Sequence, residues 1–150
     1  MLVSGGIIGG AAVQIGAGIA TYVVGLASGS NCAGAVGADL IRAHLVAETL
    51  TFAFKATVRR QRPDGGEYSF PSGHASVTFA TATVLNRQFG WKVGVPAYAM
   101  ASYVAVSRVE AQRHYLSDVI FGAAVGMVSG YAAVPVIGQG RVGVTLSRSW

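Results

Sequence analysis

The segment YSFPSGHASV, residues 68–77, places a proline, a serine, a glycine and a histidine inside a largely apolar chain. Such a segment is typical of a helix start, because a serine side chain caps the first free N–H groups of a helix. Alone, these residues are better explained as an ordinary capped helix start that happens to carry a histidine. A functional role for His74 therefore depends on partners elsewhere in the sequence.

The composition indicates a chain that is embedded in a membrane or lies against one. Only 11% of its 150 residues are charged and 52% are hydrophobic, with a mean hydropathy of +0.50, whereas soluble domains carry about 25% charged residues. Eleven Lys and Arg against six Asp and Glu favour an anionic partner such as phosphate or an acidic lipid headgroup.

Nucleic acid is not expected, because the basic residues form no long stripe with interleaved aromatics. Cys32 is the single cysteine, so no intrachain disulfide and no cysteine-rich metal site is expected.

The length and the hydrophobic pattern predict one domain over residues 1–150 with about five helices. We expect an apolar N-terminal helix over 2–30, a catalytic core over 36–138 and a tail over 139–150. The core helices are predicted at 36–61, from Ser72 to about Gln88, at 92–107 and from His114 onwards. The segment VPVIGQGRVGV (134–144) is consistent with a short C-terminal β-hairpin.

Two segments supply candidate ligands for a tetrahedral anion. In KATVRRQRP, Lys55 and Arg62 are seven residues apart, which is about two helical turns, so both cations point the same way. In PSGH, Ser72 and Gly73 lie where a helix begins, so a hydroxyl and backbone N–H groups can point at the same anion. Gly73 also leaves no side chain to block that approach.

A third segment, SRVEAQRHYLSD, adds a cation and the candidates for chemistry. Arg108 supplies a guanidinium that can fork onto paired phosphate oxygens. His114 and Asp118 are four residues apart, so on a helix they share a face and can hydrogen-bond, which leaves the other nitrogen of His114 free to attack phosphorus. His74 can give a proton to the leaving alkoxide and later take one from water. No carboxylate cluster for Mg²⁺ is visible, so we expect no metal and no cofactor, and the cations must stabilise the charge.

These three segments resemble the signature motifs of the type 2 phosphatidic acid phosphatase superfamily, which includes lipid phosphate phosphatases, bacterial class A acid phosphatases and vanadium haloperoxidases. Eleven positions match in identity, order and spacing: Lys55, Arg62, Pro63, Pro71, Ser72, Gly73, His74, Ser107, Arg108, His114 and Asp118. The resemblance implies an all-α core with the phosphate site at one end of the bundle, a phosphohistidine on His114, an acid–base role for His74 and no required metal. It also implies that the phosphate is held by Lys55, Arg62, Ser72, Gly73 and Arg108. Integral-membrane members usually have six spanning helices, whereas this chain has room for about five.

We therefore expect a phosphomonoester hydrolase that acts on a lipid phosphate such as phosphatidic acid, because an embedded site meets a lipid by lateral diffusion. Other lipid phosphates, polyprenyl pyrophosphate and soluble phosphoesters stay open, since the motifs bind only phosphate. Two rival classes are a vanadium haloperoxidase, although that family is longer and soluble, and a non-enzymatic membrane protein, which would be expected to lose a catalytic histidine. The expected location is the bacterial cell envelope, as a multi-pass membrane protein with its site facing outward; a soluble periplasmic form is the alternative.

Four further polar residues are interpreted as structural. His44 and Glu48 lie four apart and are interpreted as a buried or interfacial polar pair. Arg59 and Arg60 are interpreted as contacts to solvent or to lipid headgroups rather than as phosphate ligands.

Overall fold

The computed structural model describes residues 6–134, and within this range the chain forms five long helices joined by short loops. They are α1 (Ala11–Ser28), α2 (Asn31–Val58), α3 (Gly73–Phe89), α4 (Trp91–Glu110) and α5 (Leu116–Ala133). The predicted all-α bundle of about five helices is confirmed. The predicted hairpin beyond Val134 and the tail over 139–150 lie outside the described residues.

α1 begins later than predicted and α2 begins earlier, and each shift has a local cause. α1 begins at Ala11 rather than residue 2, because Gly10 is extended and separates it from a helical turn at residues 6–8. α2 begins at Asn31 rather than residue 36, because the Ser30 side chain accepts a hydrogen bond from a backbone N–H of the first turn.

The loop over 59–72 connects α2 to α3 and carries several of the motif residues. α2 ends at Val58 rather than residue 61, because Arg59 takes a left-handed conformation with φ of 47°. α3 begins where the sequence predicts, since Ser72 caps it by accepting a hydrogen bond from the Ala75 N–H. The whole connection therefore lies at the end of the bundle where α2 ends and α3 begins.

Glycines allow α5 to pack directly against the backbone of α3. A Cβ added at Gly126 would clash with the carbonyl oxygen of Ser76. One added at Gly122 would lie 2.5 Å from the carbonyl oxygen of Ser72. With Gly130, these glycines repeat every four residues and form one face of α5, a pattern that lets helices approach closely. Because Ser72 caps α3, this contact fixes the start of α3 against α5.

By length and composition, α1 and α5 are each able to cross a membrane. Their mean hydropathies are 1.5 and 1.4 over 18 residues, and a helix of that length spans about 27 Å. Only 11% of α1 is buried, and it exposes Val23, Val24 and Leu26. α5 is half buried and exposes Ile120 and Val128. Apolar outer surfaces of this kind are typical of helices that contact lipid.

A buried carboxylate joins the start of α5 to the loop over 59–72. Asp118 is fully buried and accepts hydrogen bonds from the Arg60 guanidinium at 2.8 Å and from the Tyr115 N–H at 2.9 Å. It also accepts a hydrogen bond from the Ser69 hydroxyl. The Arg60 guanidinium lies over the Tyr115 ring, 3.9 Å from its centroid. Both Asp118 oxygens are therefore engaged by groups from two separate segments.

Aromatic packing also joins the start of α5 to the loop over 59–72. The ring centroid of Phe121 in α5 lies 5.0 Å from that of Phe54 in α2 and 4.7 Å from that of Phe70 in the loop. The Phe54 and Phe121 rings meet edge to face, a favourable arrangement for aromatic pairs. The three rings tie α2, the loop and α5 together.

The glycine contact between α3 and α5 predicts that Gly126→Ala lowers the free energy of unfolding by about 1–3 kcal/mol, because overpacking forces the backbones apart. The measurement is thermal unfolding in detergent micelles. Gly16→Ala is the matched control, since a Cβ there meets nothing within 4 Å and the residue is exposed on α1. We expect this control to unfold at the same temperature or higher, because alanine favours helix over glycine. Equal losses in both variants would contradict the packing argument.

The Asp118 junction predicts that Asp118→Ala costs more than about 2 kcal/mol of unfolding free energy, because it leaves buried donors without an acceptor. Asp64→Ala is the comparison, since Asp64 pairs with Arg113 at 3.2 Å near the surface, with side chains 29% and 56% exposed. An exposed pair of this kind contributes under about 1 kcal/mol. The unfolding free energies of both variants are measured from unfolding curves. A similar loss in the two would show that the Asp118 contacts stabilise the protein no more than the exposed pair does.

Candidate active site

Four helices and two loops line one cavity of about 390 Å³ at the end of the bundle where α2 ends and α3 begins. The lining residues are Ala11, Glu48, Lys55, Arg62, Gly73, His74, Arg108, Arg113 and His114. Six of the eight residues predicted for the site therefore line a single cavity. The other two, Ser72 and Asp118, are fully buried and do not line the cavity.

Three predicted basic residues bring positive charge to the cavity. Lys55 is held by a hydrogen bond from its ammonium group to the Tyr68 carbonyl at 2.6 Å. Arg108 is buried in the last turn of α4. Arg62 has a buried Nε without a hydrogen-bond partner in the described part of the chain. Cations gathered in this way repel one another and are stabilised when an anion lies between them.

The two residues at the start of α3 differ in how they contribute. The Ser72 hydroxyl caps the helix by accepting from the Ala75 N–H at 3.5 Å. Its own proton stays free for a donor contact, so its contact with phosphate remains a prediction. Gly73 lines the cavity, and a Cβ there would lie at ordinary contact distances of 3.6 Å from Thr51 and 3.8 Å from Glu48. Packing alone therefore does not require glycine, and its missing side chain opens the first turn of α3 to the cavity.

His114 lies in the loop before α5 rather than on a helix, and this changes its predicted partner. Its Nδ1 lies 2.7 Å from the Ser69 carbonyl oxygen and 3.9 Å from Oδ2 of Asp118. The predicted hydrogen bond between His114 and Asp118 is therefore wrong, because Asp118 is engaged by Arg60, Ser69 and the Tyr115 N–H at the start of α5. A carbonyl only accepts, so Nδ1 of His114 carries the proton and Nε2 carries the lone pair.

The surroundings of His114 keep its imidazole neutral. Burial lowers the pKa of His114 from 6.5 to about 4, and its hydrogen bond to Ser69 opposes that shift. Lys55 and Arg62 lower the pKa further, whereas Asp118 raises it. The lone pair on Nε2 is consequently available at neutral pH.

His74 has the opposite hydrogen-bonding arrangement. Its Nε2 lies 3.1 Å from the Gly6 carbonyl oxygen, so this nitrogen carries a proton that it can donate. Burial lowers the pKa of His74, Arg108 lowers it further, and the Gly6 hydrogen bond raises it. An anion in the cavity would raise this pKa as well, because an opposite charge favours the protonated ring.

Sequence reasoning missed Arg113 and misinterpreted Glu48, two charged residues that line the cavity. Glu48 was paired with His44, but His44 is buried and hydrogen-bonds to Thr81 at 2.8 Å, whereas Glu48 faces the cavity. A signal for Glu48 was present, since it precedes Lys55 by the same seven residues that separate Lys55 from Arg62. Arg113 gave no such signal, because it lies on an irregular loop.

Arg60 makes two contacts within the protein that the sequence did not indicate. It hydrogen-bonds to the Asp118 carboxylate at 2.8 Å and to the Ser117 hydroxyl at 2.9 Å. Its partners lie almost 60 residues further along the chain, so no local pattern marks this role.

Comparisons with known proteins find phosphatases among the relatives of this chain. The chain is 42% identical over 82 residues to lipid A 1-phosphatase of Porphyromonas gingivalis, a match over 52% of this chain and 18% of that protein. It is 37% identical over 106 residues to decaprenylphosphoryl-5-phosphoribose phosphatase of Mycobacterium tuberculosis, over 64% of this chain and 58% of that protein. The chain thus aligns with less than two thirds of the length of either relative.

A solved structure shares the fold of this chain, and a family model matches most of its length. The crystal structure of Aquifex aeolicus LpxE superposes with a TM-score of 0.76 at 21% identity, covering 89% of this chain and 82% of that chain. The family model of the PAP2 superfamily matches residues 37–140, a range that contains all eight predicted site residues. The chain therefore belongs to the PAP2 superfamily.

Proposed function

We propose that this protein is a phosphatase that hydrolyses a phosphomonoester on a lipid through a phosphohistidine on His114. The observation that carries the proposal is the convergence of Lys55, Arg62, Arg108, His74 and His114 on one cavity. A cluster of cations beside a neutral imidazole and a second, proton-donating imidazole is the arrangement that phosphoryl transfer requires.

In the first step of this mechanism, Nε2 of His114 attacks phosphorus, and the bond from phosphorus to the ester oxygen breaks. His74, doubly protonated once the bound anion has raised its pKa, donates its Nε2 proton to the leaving alkoxide, which departs as an alcohol and leaves a neutral ring. The Gly6 carbonyl now accepts from that nitrogen, and the leaving oxygen would take its place as acceptor. The phosphoryl group is left bonded to His114.

In the second step, water attacks the phosphorus atom and His74 takes a proton from it. The bond between phosphorus and Nε2 breaks, and inorganic phosphate leaves. Lys55, Arg62 and Arg108 stabilise the charge on the transferring group throughout, so we propose that no metal ion is required. Asp118 acts as a positioning residue, because it holds Ser69, whose carbonyl orients His114.

The lipid substrate is proposed from the outer surface of the molecule. α1 and α5 are apolar enough to cross a membrane, and both curated relatives are named for phosphates on lipid-linked molecules. We propose a multi-pass protein of the cell envelope with the bundle as a single phosphatase domain and the cavity facing outward. Phosphatidic acid is the first substrate to test.

This function predicts that the protein releases phosphate from phosphatidic acid in detergent micelles with EDTA present. His114→Ala should lower the rate by at least about a thousandfold, because loss of a nucleophile removes the covalent route. Lys55→Ala should lower it by about a hundredfold or more. Lys92→Ala, which removes an exposed lysine outside the cavity, is the matched control and should keep the wild-type rate. Release that EDTA abolishes, or that survives His114→Ala, would contradict the mechanism.

The same assignment predicts the acid limb of kcat/KM against pH. Since the folded pKa of His114 is about 4, its lone pair is lost only as the pH falls through about 4, well below the ordinary histidine value of 6.5. The profile is measured at substrate concentrations below KM, where it reports the free protein. An acid limb centred near 6.5 that does not follow the ionisation of the substrate phosphate would show that His114 is not held neutral by burial.

A further inference from the structure

Glu48 is an acidic side chain inside a cavity lined by four basic ones. It lies on α2, seven residues before Lys55, which places its Cα about 10 Å further from the C-terminal end of that helix. The basic residues Lys55, Arg62 and Arg113 belong to the last turn of α2 and to the loops. Glu48 therefore marks the part of the cavity that reaches into the bundle.

The Glu48 carboxyl group lies beside the first turn of α3. Its Oε1 would lie 3.8 Å from a Cβ at Gly73, the first residue of α3. His74 follows Gly73 directly, and in the proposed mechanism it protonates the leaving group. The Glu48 carboxyl group therefore lies beside the first turn of α3, between the phosphate expected at Gly73 and the leaving group expected at His74.

The Glu48 carboxyl group also has an unused acceptor. Its Oε1 is buried and has no hydrogen-bond partner within residues 6–134, and the same holds for the hydroxyl of Thr51, three residues along the same helix. Buried polar atoms are nearly always hydrogen-bonded, so an exception that faces a cavity calls for an explanation. A donor on a bound ligand provides one.

Electrostatics decides what kind of group this acceptor can take. A second phosphate beside Glu48 would bring two anions together in a partly buried site, which is unfavourable. A hydroxyl group carries no charge and donates a hydrogen bond, and bonds to a charged acceptor are about twice as strong as those between neutral groups. The acceptor therefore favours a hydroxylated leaving group over a pyrophosphate.

We propose that Glu48 accepts a hydrogen bond from a hydroxyl of the leaving group, so that the preferred substrates are phosphomonoesters of lipid-linked sugars or polyols. This inference rests on the proposed phosphatase function and adds the class of alcohol that is released. Glu48 takes no part in breaking the phosphorus–oxygen bond; it selects which ester is held beside His74.

The experiment compares two detergent-soluble substrates of the same chain length, dodecyl phosphate and a dodecyl glucoside phosphorylated on its sugar. The measured quantity is the ratio of kcat/KM for the glucoside phosphate to kcat/KM for dodecyl phosphate. We expect the wild type to favour the glucoside phosphate by about tenfold or more, as one hydrogen bond to a charged group supplies. Glu48→Ala should bring the ratio close to one, mainly through a higher KM for the glucoside phosphate.

Two further variants separate specificity from a structural effect. Glu48→Gln keeps the size and an acceptor oxygen but loses the charge, so its ratio should fall between the wild type and Glu48→Ala. Glu110→Gln removes an exposed carboxylate of α4 outside the cavity and should keep the wild-type ratio. Unfolding temperatures of all variants show whether each one folds.

The outcomes also distinguish this inference from the proposed function. A wild-type ratio near one, or variants of Glu48 that lower kcat/KM equally for both substrates, would overturn the selective role and leave the phosphatase function standing. Release of phosphate from neither substrate, nor from phosphatidic acid, by a folded wild type would contradict the phosphatase function, and the inference would be overturned with it.

Discussion

The carboxylate of Asp118 imposes the constraint on which the rest of the site depends. A fully buried charge is tolerated only when it is paired and hydrogen-bonded, and the groups that satisfy Asp118 come from two places. Arg60 and Ser69 belong to the loop between α2 and α3, whereas Tyr115 directly precedes α5. The loop and α5 therefore cannot separate without leaving a buried charge unpaired, and His114 lies between them.

The burial that demands these contacts also determines the state of the histidines. Removal from water disfavours a charged imidazole, which is why the pKa of His114 falls to about 4. A neutral ring still has two tautomers, and the Ser69 carbonyl selects the one with the lone pair on Nε2. At His74 the acceptor lies next to Nε2 instead. Two residues of the same type thus acquire different hydrogen-bonding roles from their acceptors alone.

The sequence predicts well where local chemistry decides the structure. The start of α3 follows from Ser72, because a capping serine acts on the residues directly after it. Lys55 and Arg62 line the same cavity, although the helix that was expected to align them ends at Val58, so the shared direction depends on the loop as well. The all-α class follows from the hydrophobic pattern and the motif resemblance together.

The sequence predicts poorly where partners are distant along the chain. Arg60 pairs with Asp118 and His44 with Thr81, and nothing near either residue indicates these contacts. The expected bond between His114 and Asp118 fails because spacing of four residues has meaning only on a helix, and α5 begins after His114. The expected pair of Glu48 with His44 also fails, because helical spacing shows which face of α2 a residue lies on but not which residues pack against that face.

The contact between Ser69 and His114 has a consequence for how this family can diversify. The acceptor that orients the candidate nucleophile is a main-chain carbonyl, which every amino acid at that position possesses, so single substitutions of Ser69 cannot delete it. A change of Ser69 would still remove the buried hydroxyl that donates to Asp118, and a change of Asp118 would remove its acceptor. The candidate nucleophile is thus oriented directly by the backbone and only indirectly by the two side chains that hold this backbone in place.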